Sequence, residues 1–135
     1  MTLSINNTTR AAMMDAITAR AGNGALIRIY NGSRPSNTTG AATTLLAQLS
    51  CATPFAPASP SGVLTLNAIT PTLSALFTDT ATWFRIVQSN GSTVVLDGSV
   101  STVQAATGDL QFDTNVITLG GTVNISNATI TAGNP

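Results

Sequence analysis

The sequence predicts an all-β domain: an antiparallel jelly roll or β-sandwich of about eight short strands, preceded by one short helix. Three observations predict it. Short runs rich in β-branched and aromatic residues recur at intervals near 8–12 residues, with Gly, Asn, Pro and Ser between them. The surface material is Thr, Ser, Asn and Ala, which suits strands and turns. Trp83-Phe84-Arg85-Ile86-Val87-Gln88 and Thr93-Val94-Val95-Leu96-Asp97-Gly98 flank an Asn90-Gly91 pair, the strongest short-range hairpin signal. A type I′ turn centred on Asn90-Gly91 sets Val87 opposite Val94 and Ile86 opposite Val95. Both faces then carry apolar pairs, so this hairpin is expected at the centre of the domain.

Residues 1–22 read as an arm and helix, and 23–135 as the sandwich, within a single structural domain. In the arm, Leu3 and Ile5 are apolar on alternate positions. Asn7 or Thr8 can cap a helix through Arg10–Arg20, and Gly22 can close it. Met13 and Ile17 share a face that Met14 and Ala16 widen. At about 13 residues the helix must pack on something: the sheet of its own domain, or, together with the arm, a neighbouring subunit. Leu3, Ile5, Met13 and Ile17 are therefore the candidate partner contacts.

Ala25–Tyr30 is a strand with Ile27 and Ile29 on one face and Arg28 on the other. Asn31–Gly40 is turn chemistry throughout and is expected as an exposed loop. Thr43–Cys51 reads as strand, with a helix over 41–48 also open. Pro54, Pro57 and Pro60 make 53–62 a loop pinned by Phe55. Val63–Ile69 is the next strand. The loop 71–80 carries Leu73, Leu76 and Phe77, expected to cover an open end of the core. After the hairpin come strands at Asp109–Asp113 and Val116–Leu119. Gly120-Gly121 supports a tight hairpin into 122–131, where the apolar parity switches as if at a bulge near Asn127. No repeat of solenoid length occurs.

The chain has 135 residues, enough for one domain with its own core. Its charged fraction is 7%, where about 25% is usual. The five cations are all Arg, the five anions are all Asp, and net charge is zero. Such a chain offers no basic patch for nucleic acid or an anionic membrane. It also has little charge to keep copies apart, which favours assemblies. With no His and one Cys, zinc and haem sites fail on ligand count, and Cys51 is expected as a small buried thiol. The N-terminus lacks the pattern of a signal peptide, and no run reaches the ~18 apolar residues of a membrane span. The Asn-x-Ser/Thr triplets are ordinary in an Asn- and Thr-rich chain.

No catalytic constellation and no cofactor motif is present. Asp109 and Asp113 are the nearest thing to a carboxylate pair. Four apart on a strand they stand about 13 Å from each other, beyond glycosidase separations of about 5 to 9.5 Å. They read as solvated strand-end carboxylates; a weak calcium site with Asn115 lacks a binding-loop pattern. Arg28 and Arg85 read as partners of Asp97 or another Asp, or as snorkelling at a sheet rim. Trp83 and Tyr30 could stack on a sugar, but their apolar strands point to the core.

Three segments carry a resemblance: Gly24–Pro35 (GALIRIYNGSRP), Ala81–Val87 (ATWFRIV) and Val95–Val100 (VLDGSV). They resemble small structural proteins of tailed bacteriophages and prophages, and over roughly residues 24–132 the chain looks like the capsid cement (decoration) proteins of jelly-roll fold, as in a Bordetella phage. The resemblance implies no enzymatic activity. It implies homodimers on the outside of an HK97-type shell, bridging capsomers and contacting the major capsid protein. Such a protein is made in the host cytoplasm and ends in the virion. It assigns no contact residues. A tail or fibre component, with or without glycan binding, is the competing expectation.

Overall fold

The computed structural model describes residues 4–105, 109–112, 114–125 and 128–131. The protein is mostly β with one short helix, built around a curled five-stranded sheet. The elements are α1 (Asn7–Ala21), β1 (Leu26–Tyr30), β2 (Leu45–Ser50), β3 (Val63–Thr65), β4 (Asp79–Thr80), β5 (Trp83–Val87), β6 (Val94–Thr102), β7 (Leu110–Phe112), β8 (Val116–Ile117) and β9 (Thr129–Thr131). The large sheet runs β2-β1-β5-β6-β7, and two small ladders pair β3 with β9 and β4 with β8.

The hairpin is central, as its two apolar faces require. β5 lies between β1 and β6, and all five of its residues are buried. Val87 pairs with Val94, but a bulge shifts the register so that Ile86 faces Leu96 rather than Val95. The shift falls beyond the Val87–Val94 pair, which keeps the expected register, but the turn itself differs. Gly91 N–H donates to Gln88 C=O, which centres the turn on Ser89 and Asn90, and the positive φ of +74° falls on Gly91. Asn90 Oδ1 accepts from the N–H of Ser92 and Thr93. The expected two-residue type I′ turn is thus replaced by a longer loop, because the Asn90 side chain caps the backbone itself.

One face of the sheet packs Ile27, Ile29, Leu46, Leu49, Phe84 and Ile86 against Phe55, Leu64, Leu66, Val123 and Ile125. The opposite face holds Tyr30, Trp83, Arg85 and Asp97. The loop 31–44, of which 31–40 is expected from the sequence as an exposed loop, covers that face. Trp83 Nε1–H donates to Asn31 C=O and Thr43 Oγ1, and Arg85 Nη1 donates to Gly40 C=O. The loop's outward side chains remain in solvent.

Gly98 lies opposite Phe84 in the β5–β6 ladder. A Cβ there would stand 2.4 Å from a ring carbon of Phe84. Gly98→Ala is expected to destabilise the fold by about 1–3 kcal/mol, the usual cost of overpacking. Adding Phe84→Leu should recover part of that loss in urea denaturation, since it removes the clashing ring edge.

Several expectations are corrected. The helix begins earlier than read: Asn6, not Asn7 or Thr8, is the cap, its Oδ1 accepting from Thr8 N–H. Gly22 closes it, with φ +67° and its N–H on Thr18 C=O. Met14 and Ala21 are its buried residues, so Met13 lies outside the face assigned to it. The helix seats chiefly on the 3-10 turn Pro60–Gly62 rather than on the sheet. Ser59 fastens it there: its N–H and Oγ–H reach Asp15 Oδ1, and Oγ also lies 3.0 Å from Ala11 C=O. Phe55, 1% exposed, anchors the proline loop as expected.

The sheet is not wholly antiparallel, because β7 runs parallel to β6. β3 is shorter than the strand read over 63–69, and within Thr43–Cys51 the residues Leu45–Ser50 are strand, not helix. β8 pairs with β4 instead of folding back onto 122–131, although the turn at Gly120 forms. The bulge expected near Asn127 lies outside the described residues.

Candidate interaction surface

Leu73, Leu76 and Phe77 do not cover the core; they are 77%, 48% and 55% exposed. The backbone explains the reversal. From Thr72 to Ala81 the chain runs alongside Asn115 to Val123 as an irregular ribbon. Thr72 and Val123 exchange N–H···O=C bonds at one end, and Ala81 N–H donates to Asn115 C=O at the other. Between them, Ala75 exchanges bonds with Gly120 and Gly121, Leu119 N–H reaches Thr78 Oγ1, and Asp79 and Thr80 pair with Ile117 and Val116. Leu76 N–H also donates to Leu46 C=O of β2, tying the ribbon to the sheet edge.

These bonds fix which side chains turn inward. Ala75, Ala81, Ile117 and Val123 are buried, while Val116 and Leu119 join the outward set at 55% and 64% exposed. Five large apolar side chains are therefore presented by one ribbon, and Asp79 is the ribbon's single charged residue. Asn31 Nδ2–H donates to Asp79 Oδ2 and Thr80 N–H to Oδ1, holding that carboxylate below its ordinary pKa. A recess of about 320 Å³ flanks the ribbon, lined by Phe112, Val116, Thr118, Thr122 and Asn124. Exposed apolar groups gathered in this way mark interaction sites, whereas single ones are ordinary.

The contacts expected from the sequence fare differently. Leu3 lies outside the described residues. Ile5 is half-buried, Met13 is 47% exposed, and Ile17 packs against the core. Met13 and Ile17 thus do not form one outward face. No protein family, curated protein or solved structure matches the chain.

Several other polar groups are held in structural bonds. Arg85 Nε and Nη2 donate to Asp97 Oδ1 and Oδ2 at 2.7 and 2.8 Å, the pairing expected of it, and this raises the guanidinium's pKa further. Arg28 donates instead to Gln48 Oε1 and Gly91 C=O. Asp109 Oδ2 accepts from Ser99 N–H and Oγ–H, which lowers its pKa, while Asp113 lies outside the described residues. A groove of about 540 Å³ runs between β6 and β9 past Arg34, Phe84, Asp97 and Asp109. Both of its carboxylates are already engaged as described. Among the described residues no three His, Cys, Asp or Glu side chains gather as metal ligands. Burial pushes the Cys51 thiol up to about 11, so it is an unreactive thiol at neutral pH. No described helix is long and apolar enough to cross a membrane. Trp83 and Tyr30 are 0% and 4% exposed, so neither offers a face to a sugar.

The ribbon was the feature that sequence reasoning missed. The signal present was Leu73-x-x-Leu76-Phe77 in a segment of turn residues with no strand period to place those side chains on an inner face.

Proposed function

We propose that this chain is a structural protein of a tailed-phage particle: a capsid cement protein that binds the outside of an HK97-type shell through the 72–81/115–123 ribbon and bridges capsomers. In this reading the curled sheet and the two short ladders are the parts of a jelly-roll sandwich, and the copies act as homodimers. The observation that carries the reading is the gathering of Leu73, Leu76, Phe77, Val116 and Leu119 on one almost uncharged ribbon. The resemblance of the three segments supplies the setting.

The energetics suit a lattice. Fully burying such a side chain contributes about 1.5–3 kcal/mol, and these five begin roughly half to three-quarters exposed. They contribute about 1–2 kcal/mol each, against an association cost of about 4–15 kcal/mol. One patch alone binds weakly. A dimer bearing two patches gains avidity on an array, and stabilises the assembled shell by mass action because it binds the shell and not its separate parts. With so little charge involved, binding is expected to be nearly insensitive to salt.

The test is the copy number in purified particles, by quantitative mass spectrometry against the major capsid protein. Comparable numbers are expected. A few copies at the tail would overturn the reading in favour of a tail or fibre component. A Phe77→Ser/Leu119→Ser variant should fold normally, since both side chains are exposed, yet bind purified shells about thirty- to several-hundredfold more weakly in cosedimentation.

A further inference from the structure

The chain contains three Asn-Gly pairs, at 23–24, 31–32 and 90–91. Asn-Gly is the sequence most prone to spontaneous cyclisation, because glycine leaves its own N–H unshielded as a nucleophile. In this step the backbone nitrogen of the glycine bonds to the side-chain Cγ of the asparagine. The Cγ–NH2 bond breaks and the amide leaves as ammonia, carrying the proton that the backbone nitrogen gives up. Solvent water then opens the five-membered succinimide at either carbonyl, leaving aspartate or isoaspartate. The side-chain amide must be free to rotate, and the glycine nitrogen must be free to approach it.

Two of the three pairs are held out of this reaction. Asn90 Oδ1 accepts from Ser92 and Thr93 N–H, its Nδ2–H donates to Thr93 Oγ1, and Gly91 N–H is occupied by Gln88 C=O. Asn31 Nδ2–H donates to Asp79 Oδ2, and its Oδ1 accepts from Thr44 N–H. Its backbone C=O is also held, by Trp83 Nε1–H and Thr43 Oγ1–H. Asn23 differs on every count. It is exposed, it lies in the turn between α1 and β1, and among the described residues neither its side chain nor Gly24 N–H has a hydrogen-bond partner.

We propose that Asn23 is a self-modifying site, converting to aspartate and isoaspartate in the folded protein while Asn31 and Asn90 are protected by the fold. The inference is independent of the capsid reading. Its product has a definite consequence, because the chain's net charge is zero. Each conversion adds one negative charge just beyond the C-terminal end of α1, where the helix dipole disfavours an anion. The fraction converted rises with the age of the population.

The sequence makes the test direct. With no Lys, and with Arg34 blocked by Pro35, trypsin places the three pairs on separate peptides, 21–28, 29–85 and 86–135. The purified native protein is held at mildly alkaline pH and sampled over time. Fragment spectra locate each amide-to-acid conversion, and a denatured sample runs in parallel. Asn23 is expected to convert at least about tenfold faster than Asn31 or Asn90, the factor for opening a hydrogen bond or two at their usual net worth. In the denatured chain the three rates should converge. Asn23→Gln should abolish the early acidic species on isoelectric focusing. Equal native rates at the three sites would overturn the proposal. So would a native Asn23 that stays intact while its denatured counterpart reacts, or an early acidic species that survives Asn23→Gln.

Discussion

Trp83→Ala is expected to cost the fold about 3–5 kcal/mol, the usual range for emptying a large aromatic site. The side chain is fully buried, and its ring stacks on Tyr30 with centroids 4.4 Å apart and planes inclined by 15°. The Arg85 guanidinium carbon stands 5.3 Å from the centre of the Trp83 ring. Its N–H fastens the 31–44 loop at Asn31 and Thr43, both at 3.0 Å. Removing the indole therefore opens a cavity and releases the loop that keeps the back of the sheet dry. A small domain has about 5–15 kcal/mol in total, so the variant should unfold at far lower urea when followed by circular dichroism. Trp83→Phe separates the two contributions. It keeps most of the ring but leaves Asn31 C=O without the indole donor, and should cost about 1–3 kcal/mol. A Trp83→Ala loss below about 1 kcal/mol would mean that the back face is wet and the loop is not its cover.

Asp97→Ala is the second large effect, with an expected cost of about 3–5 kcal/mol. The Arg85–Asp97 pair is bidentate, and the two side chains are 8% and 7% exposed. Deleting the carboxylate strands a cation that cannot shed its proton in a site with little access to water. The pair itself is worth much less than that number. Desolvating both ions cancels most of their attraction, so well-packed apolar replacements often cost nothing. Arg85→Met with Asp97→Leu should accordingly be far more stable than Asp97→Ala alone, within about 1–2 kcal/mol of the natural protein. A double variant as unstable as the single one would show that the interaction energy, rather than the stranded charge, holds the two strands in register. Urea midpoints at constant slope decide between them.

The parts of this molecule legible in the sequence are those with a local cause. β1 and β5 have β-branched and aromatic residue types suited to strands, and of the two readings open for Arg85 the register supplies the ion pair, at Asp97. Phe55 among prolines and Gly22 after the helix are likewise signals complete within a few residues. What escaped the sequence was decided by partners distant along the chain. β4 has two residues, too few to display any period, and β8, within the strand expected at 116–119, takes a partner the sequence did not indicate because closure of the domain brings Asp79 beside Ile117. The same closure turned Leu73, Leu76 and Phe77 outward by clipping Ala75 to the Gly120 turn. An apolar residue in a loop reads as core by default, and only the neighbouring backbone says otherwise. The turn at Gly91 erred for a smaller reason: the Asn90 side chain offered the backbone a competing set of bonds.

Among the described residues the ribbon at 72–81 and 115–123 has one backbone hydrogen bond to a strand of the main sheet, at Leu46, and contains a ladder just two residue pairs long. Its amides should exchange with heavy water well before those of β5, which is flanked on both sides and buried throughout. Opening there would add the buried Ala75, Ile117 and Val123 to the outward Leu73, Leu76 and Phe77, so precipitation of concentrated protein should track that opening and be slowed by whatever seats on Phe77.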